Sequence, residues 1–455
     1  MSNNGDEELE RRLRDVLSSR GLGVPVSPDA IDRIHAGARR RQQRRTGASA
    51  LGAVAIIAIA AIAIGVRPHG HGSTLVAHNG SPSPTAAVSS SPPASPSAPI
   101  ASPAVIPSAV ASTAVVVPTA PAVASTPPVQ VFNPVSVSAI SVNDYWVLGY
   151  ITADSGPNGI SIRKTTDAGQ HFTTVGHPAA FVAQMNARVP PGTPMVSDVR
   201  FGDTNNGWAY GGNLFATEDG GTSWSPVTGV PGSVVDLAAA SGNVWAISDV
   251  IANGTDTYSL YHATYGASGT SAWARVDLGV TPAGGPTSVA VINKTAYVLE
   301  GSGSQQKTYG ITNGGGNHTT QPGPCATMPT LGGGELSVAG DGSLWAWCTS
   351  GHESGVFVSA DNAVHWQGMV RTTTLSVGGI DSSHAVVSDG TSIGILTLGH
   401  SVTTPTIPDT SGQPDAAFVG FTTTQIGFVV TGALQSPTEL WRTTDGGQTW
   451  SVVTF

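Results

Sequence analysis

The residues of this 455-residue chain with the clearest chemical spacing belong to a repeated aspartate motif. In each complete copy the aspartate is followed two residues later by glycine and five residues later by a large aromatic residue. A fourth copy keeps the aspartate and the aromatic residue but has alanine in place of glycine. The positions are Asp167, Gly169 and Phe172; Asp219, Gly221 and Trp224; Asp445, Gly447 and Trp450; and Asp361, Ala363 and Trp366. Because a reaction needs one site rather than four similar ones, we predict a structural role and no catalytic residue among them.

The motif has a local physical reason. An aspartate carboxylate can accept hydrogen bonds from backbone N–H groups of its own tight turn, and glycine supplies the left-handed conformation that closes the turn. The aromatic ring is expected to fill the gap between neighbouring repeats. A fifth, degraded copy has Asn313, Gly315 and His318 at the corresponding positions.

Other carboxylates raise the possibility of glycoside hydrolysis, which needs two carboxyl groups about 5–10 Å apart. The candidates lie on the face opposite the repeated turns, in loops within and between the repeats. They are Asp154, Asp249, Asp256, Glu300, Glu353, Asp389, Asp409, Asp415 and Glu439. In a set of this size some pair will be close by chance, so the favoured interpretation is solvated surface carboxylates.

The connecting segment 176–194 is a candidate ligand loop. It is longer than the roughly 2–6 residues that such a connection needs, and long loops tend to be functional or disordered. Phe181, Met185 and Arg188 in this segment are the candidate ligand contacts. In the strand that follows, Asp198 and Arg200 share one face by alternation, which favours a salt-bridged pair inside the fold.

The chain contains two cysteines, Cys325 and Cys348. Two cysteines cannot form a multi-cysteine zinc site or a disulfide-dense scaffold. Outside a membrane this pair favours a disulfide over a catalytic thiol. His69, His71 and His78 near the start of the proline-rich segment lack acidic or further ligand partners, so we predict no metal site, and no cofactor either.

The elements that must position these residues are short strands. From about residue 131, alternating apolar runs separated by Gly, Asn, Asp and Thr turns indicate an all-β domain. A second repeated element, a hydrophobic strand followed by a turn and another apolar strand, occurs seven times. From Phe172 to Trp450 is 278 residues, or six steps of about 46. A repeat of forty to fifty residues is the size of one propeller blade, so residues 131–455 are predicted to form a seven-bladed β-propeller.

The repeated aspartate motif resembles that of a known group of propellers. "TEDGGTSW" and "TTDGGQTW" are similar to the Asp-box, or BNR, repeats of sialidase-like propellers. "GDTNNGWAYGG" followed by such a box resembles the photosystem II assembly factor type of propeller. The resemblance covers residues 131–455 and implies the fold. It says little about activity, because similar propellers are sialidases, xyloglucan hydrolases, sorting receptors and non-enzymatic assembly factors.

The resemblance also implies what a sialidase site would need. Three arginines are expected to hold the substrate carboxylate, the first usually in an Arg-Ile-Pro motif, together with a Tyr–Glu pair and an aspartate. No arginine of the repeat region is followed by Ile-Pro. These arginines are Arg163, Arg188, Arg200, Arg275, Arg371 and Arg442. Sialidase activity is therefore disfavoured.

The first 130 residues predict a membrane anchor. Residues 1–47 form a cytoplasmic head with an amphipathic helix at 6–19, and a transmembrane helix is predicted over 48–66 within an uncharged stretch about 30 Å long. Five arginines lie shortly before the span and only Arg67 follows it, which places the N-terminus in the cytoplasm. A cleavable signal peptide is the alternative. Residues 67–130 contain thirteen prolines and one charge, typical of a disordered Pro/Ser/Ala stalk. This arrangement resembles actinobacterial single-pass membrane proteins.

Charge narrows the partners. Twenty Lys and Arg against 29 Asp and Glu give a net charge of −9, which disfavours nucleic-acid binding. Residues 131–455 alone contain nine basic and 22 acidic residues, a net charge of −13. We therefore expect a membrane-anchored, extracytoplasmic and non-catalytic propeller that binds a protein or a cell-wall glycan. The alternatives are an extracytoplasmic glycoside hydrolase and a transmembrane signalling protein with a cytoplasmic output helix.

Overall fold

The computed structural model describes a defined part of the chain. The described residues are 71–72, 131–151, 159–182, 192–252, 255–266, 272–279, 285–327, 334–350, 353–372, 376–388, 393–400, 402–403, 407, 416–432 and 438–455. The predicted head (1–47) and span (48–66) lie outside these ranges, as does the predicted stalk (67–130) apart from its residues 71–72. Within the described ranges no helix has both the length and the apolar character needed to cross a membrane.

Short strands make up almost all of the regular structure of the described residues. In chain order they are β1 (His71–Gly72), β2 (Phe132–Ala139), β3 (Tyr145–Ile151), β4 (Ile160–Thr165), β5 (Thr173–Val175), β6 (Phe181–Val182), β7 (Met195–Val196), β8 (Asp198–Phe201), β9 (Gly207–Tyr210), β10 (Phe215–Thr217), β11 (Ser225–Pro226), β12 (Ser233–Ala240), β13 (Asn243–Ala252), β14 (Thr255–Thr264), β15 (Ala274–Val276), β16 (Pro286–Ile292), β17 (Thr295–Glu300), β18 (Lys307–Thr312), β19 (Asn317–Pro322), β20 (Gly334–Val338), β21 (Leu344–Ser350), β22 (Glu353–Ser359), β23 (Gln367–Thr372), β24 (Ser376–Gly379), β25 (His384–Ser388), β26 (Ile393–Thr397), β27 (Ala416–Phe421), β28 (Gly427–Thr431), β29 (Glu439–Thr443) and β30 (Ser451–Val452). The described part of the chain also has short 3₁₀ helices at Gly303–Gln305, Asn313–Gly315 and Pro324–Thr327.

The strands form a seven-bladed β-propeller. Consecutive antiparallel strands build the blades β2–β5, β8–β11, β12–β15, β16–β19, β20–β23, β24–β26 and β27–β30, numbered one to seven below. The described residues of blade six form three strands, and Thr403 N–H donates to Ile395 O at 2.9 Å where a fourth strand would lie. The remaining strands are the parallel pair β6–β7 and β1, which pairs in parallel with β27. The predicted all-β class and blade number are confirmed.

The hydrophobic core lies between the blades. Among the described residues, seven clusters of buried side chains each join two neighbouring blades, so every seam of the ring has one cluster. The seam between blades one and two, for example, contains Trp146 stacked on Phe201 with their ring centroids 3.8 Å apart. A blade therefore buries its apolar faces only against its neighbours.

Polar side chains join the innermost strands of adjacent blades. In blade one, Ser138 Oγ accepts a hydrogen bond from the Phe201 N–H of blade two at 2.7 Å. In blade four, Ser288 Oγ accepts from the Leu336 N–H of blade five at 3.0 Å. Irregular pairing near the start of the innermost strand recurs in blades one, three, four and seven. Such bulges redirect side chains. In blades one, three and four they lie next to Ser136, Asp236 and Ser288, each of which accepts a hydrogen bond from the following blade.

Candidate binding surface

The four repeated aspartates lie in turns between the third and fourth strands of blades one, two, five and seven. In blade two, Asp219 Oδ1 accepts from the Thr217 hydroxyl at 2.8 Å and from the Ser223 N–H at 2.9 Å. Its Oδ2 accepts from the Ser223 hydroxyl at 2.6 Å. The Gly221 N–H donates to Thr217 Oγ1 at 3.0 Å and closes the turn. Each carboxylate oxygen is thus bonded within its own turn.

The same contacts recur in the other three copies. The residue two before each aspartate supplies a hydroxyl, and the residue four after it supplies its N–H and a side-chain donor. The sets are Thr165, Asp167 and His171; Ser359, Asp361 and His365; and Thr443, Asp445 and Thr449. The motif therefore spans seven residues, with Ser or Thr at its start and His, Ser or Thr six residues later. Sequence reasoning missed both flanking positions.

These hydrogen bonds keep the carboxylates ionised. Hydrogen bonds from the Ser223 side chain and then its N–H lower the pKa of Asp219 to about 2. Hydrogen bonds from His171 and His365 lower the pKa values of Asp167 and Asp361 to about 2 in the same way. An acid this strong, with its oxygens already bonded, is a poor proton donor at neutral pH. The hairpins thus hold the turns together and present no free catalytic carboxylate.

The aromatic residue of each hairpin packs into the seam with the preceding blade. Trp224 Nε1 donates to Gly176 O at 3.0 Å, which ties blade two to the chain leaving blade one. Phe172 lies in the cluster between blades one and seven, Trp366 in that between blades four and five, and Trp450 in that between blades six and seven. In blade five, Ala363 adopts a φ of +64° where Gly221 has +96°. The turn therefore forms without glycine at this position.

Cys325 and Cys348 are joined by a disulfide bond and are both fully buried. Cys348 lies on the second strand of blade five, and Cys325 lies in the short helix that follows the last strand of blade four. The Cys325 N–H donates to Gln306 Oε1 at 2.9 Å. The disulfide bond therefore links the connection between blades four and five to the second strand of blade five, inside the hydrophobic cluster between these blades.

A buried charged group lies on the inner strands of blades two to four. Asp198 and Arg200 are both buried, and Asp198 Oδ2 accepts from the Ser197 hydroxyl at 2.6 Å. Burial raises the pKa of Asp236 in blade three, while the Val289 N–H, the Ser288 hydroxyl and the charge of Arg200 act against the rise. Arg200 lies in blade two, and its positive charge therefore also favours the ionised form of a carboxylate in blade three. The sequence predicted a pair within one blade and missed this third member, 36 residues away.

The arginines whose side chains the structure describes are spread over four blades. Arg163 lies 5.3 Å from the Phe132 ring centroid, Arg200 is buried, Arg275 is exposed on an outer strand, and Arg442 donates to Val142 O at 3.4 Å. Three of these are engaged with blade seams or turns. They do not converge on one point as a carboxylate clamp would require.

The candidate carboxylates are only partly placed. Asp249, Asp256 and Glu439 are half-buried, whereas Glu300 is buried. Burial raises the pKa of Glu300, and Tyr309 hydrogen-bonds its carboxyl group. Asp154, Asp389, Asp409 and Asp415 lie outside the described residues, and for Glu353 only the strand is described. No group of three or more His, Cys, Asp or Glu that could hold a metal ion occurs in the part described.

The candidate ligand loop is described at its two ends. Phe181 is half-buried in β6, and the Phe181 N–H donates to Pro194 O at 2.9 Å. The parallel pairing of Phe181 with Met195 closes the base of the loop. Met185 and Arg188 lie outside the described residues. Their contact with a ligand stays a prediction.

A second feature of the same face was not predicted. Strands β13 and β14 of blade three are ten residues long, whereas β12 pairs with β13 only as far as Asp249. Three residue pairs continue beyond that point and extend the hairpin by about 10 Å. We call residues 249–252 and 255–258 the arm. The sequence contains a pattern that predicts this hairpin. Asn-Gly lies between two runs with β-branched residues, and Asn-Gly favours a two-residue hairpin turn.

Comparison with known proteins adds little beyond the fold. No protein-family model and no curated protein matches the chain. The structure is similar to YCF48 from Cyanidioschyzon merolae, with 19% identity over 57% of this chain and 85% of that chain, at a TM-score of 0.41. YCF48 bound to D1 peptide matches with 18% identity over 56% and 79%, also at 0.41. The GH74 enzyme of Niastella koreensis matches with 14% identity over 70% and 58%, at 0.32. Similarity this distant does not carry function.

Proposed function

We propose that this chain is a membrane-anchored, extracytoplasmic binding module, whose propeller captures a protein or a cell-wall glycan without chemical turnover. The proposal includes the identification of its hairpins as Asp-box repeats of the sialidase-like kind. It also includes a cytoplasmic head, a single span and an extended stalk of an actinobacterial type.

The observation that carries the proposal is the contrast between the two faces of the propeller. On one face the repeated carboxylates are bonded inside their own turns. On the other face the arm extends beyond its neighbouring strands and exposes Ile251 at 66% of its surface. A projecting hairpin does not form the concave pocket in which substrates are usually enclosed, and this favours binding over catalysis.

The buried charges support the same function. Asp198 and Arg200 are buried on the innermost strand of blade two, and the carboxylate of Asp236 in blade three accepts hydrogen bonds from Ser288 and Val289. Glu300 is buried and hydrogen-bonded to Tyr309. A general acid and base must reach the substrate. These groups stabilise the blades and are not available to a ligand.

The test uses the full-length chain in detergent micelles. Purified cell-wall glycan and the extracted envelope proteins of the source organism are each offered as ligands, and release of reducing sugar is measured in parallel. Saturable binding of either class without sugar release is expected. Release of reducing sugar at a rate proportional to protein concentration overturns the non-catalytic proposal, and the absence of binding to both classes overturns the binding function.

A further inference from the structure

Strand β1 lies in the central channel of the propeller. Its two residues belong to the predicted stalk, yet His71 pairs in parallel with Phe418 and Gly72 with Val419 of β27, the innermost strand of blade seven. The Cα atoms of β1 also lie within 8 Å of residues in β20 and β24, the innermost strands of blades five and six. A segment that precedes the propeller in the chain therefore lies on the channel edge of blade seven.

In other blades the same edge is bonded by a side chain of the preceding blade. A buried backbone N–H group needs an acceptor, and one side chain supplies it at each of three seams. The N–H groups and their acceptors are Val199 with Ser136 Oγ at 3.4 Å, Val289 with Asp236 Oδ2 at 2.8 Å, and Leu336 with Ser288 Oγ at 3.0 Å.

Blade seven differs at the corresponding place. Val419 corresponds to Val199, because each lies two residues before the phenylalanine that ends its innermost strand. Ser376 in blade six corresponds to Ser136, because each lies three residues before the end of its innermost strand. The Ser376 hydroxyl is buried and has no hydrogen-bond partner in the part described, whereas Val419 pairs with Gly72. Strand β1 thus takes the position at this edge that a side chain takes in blades two, four and five.

We propose that the channel edge of β27 is a binding site for an extended polypeptide segment, and that residues 71–72 occupy it as an intramolecular ligand. This inference rests on the proposed binding function and deepens it by naming the place at which a protein ligand binds. Main-chain hydrogen bonds supply the affinity, as in other strand additions. An external segment reaches the edge only when residues 71–72 leave it, so the chain restrains its own binding.

Hydrogen exchange in the full-length chain in micelles reports whether the edge is covered. The variant His71→Pro/Gly72→Pro removes both N–H groups of β1, and proline cannot donate to a strand pair. The matched control, His78→Pro/Asn79→Pro, places the same two prolines elsewhere in the predicted stalk. Mass spectrometry of the peptide that covers β27 measures the exchange, and thermal unfolding checks that the propeller is intact in each chain.

In the variant, exchange within β27 is expected to become about tenfold faster or more, while the control matches the unmodified chain. Equal exchange in all three chains overturns the pairing. A synthetic peptide of residues 67–74 is then added to the variant at about 10 mM, above the millimolar effective concentration of a tethered segment. It should restore slow exchange, and the same peptide with proline at positions 71 and 72 should not. Failure of the first peptide overturns the binding site, and restoration by both peptides overturns strand addition.

Envelope ligands separate this inference from the proposed function. Protein ligands are expected to bind the variant about tenfold more tightly or better than the control, because no internal segment competes. Unchanged affinity in a variant whose β27 exchanges rapidly places the ligand elsewhere and overturns the inference, while the binding function stands. If no envelope ligand binds any of the three chains, the proposed function fails, and the peptide results alone decide the strand-addition site.

Discussion

The disulfide between Cys325 and Cys348 allows a quantitative test of the seam between blades four and five. It closes a loop with a sequence separation of 23 residues. Restricting the unfolded chain over a loop of this length is worth about 3 kcal/mol. The propeller region, residues 131–455, has an unfolding entropy of about 0.7 kcal/mol/K at the usual value per residue. Reduction should therefore lower Tm by roughly 5 °C.

The assay is thermal unfolding of the full-length chain with and without a phosphine reductant, followed by circular dichroism. The variant Cys325→Ala/Cys348→Ala is the control. It should resemble the reduced protein, and the reductant should not shift its Tm further. Alkylation of the unfolded chain should require prior reduction, since both cysteines are bonded. Two contrary results refute the reasoning: thiols that alkylate without reductant, or full reduction that leaves Tm unchanged.

Three further outcomes follow from the hairpins. The pKa of Asp219 lies below its unfolded value, so its contribution to stability is present above about pH 4 and is lost as pH falls towards about 2. The free energy of unfolding, measured with denaturant from pH 5 to 2, should therefore depend less on pH in Asp219→Asn than in the unmodified chain, and an equal dependence would contradict this. Gly169 and Gly447 both adopt positive φ, so an alanine is strained at either site, but a Cβ at Gly169 would also clash with the Tyr145 hydroxyl. Gly169→Ala should therefore lower Tm more than Gly447→Ala, and equal losses of Tm would contradict this. Trp224→Phe should cost about 1 kcal/mol in denaturant unfolding, because it removes the indole N–H bond across the seam; no loss would show that bond to be unimportant.

Local spacing explains what could be predicted. The hairpins and the blade count follow from patterns that repeat along the chain, such as Asp219, Gly221 and Trp224. The hydroxyl at Thr217 and the donor at Ser223 could also have been predicted as parts of the motif, since comparable residues occupy both positions in all four copies. Their role became visible only when the turn geometry showed that one carboxylate uses both.

Contacts between blades could not be predicted in this way. Asp236 meets Ser288 and the Val289 N–H, which are more than fifty residues away, because the ring places consecutive inner strands side by side. Alternation alone assigned Arg200 to Asp198 and had no means of finding a partner in the next blade. The projection of the arm likewise depends on where β12 ends, which no pattern within β13 reveals.

The seams between blades also determine how the propeller bears a mechanical load. Phe455 contacts the rings of Phe132 and Phe172 at centroid distances of 4.6 and 4.7 Å, and these rings lie beside the seam between blades seven and one. A pull on the chain at Val131 enters the domain beside Phe132. The force would shear this aromatic cluster before it reached any other seam. We therefore expect tension on the chain at Val131 to load the seam between blades seven and one before the other seams.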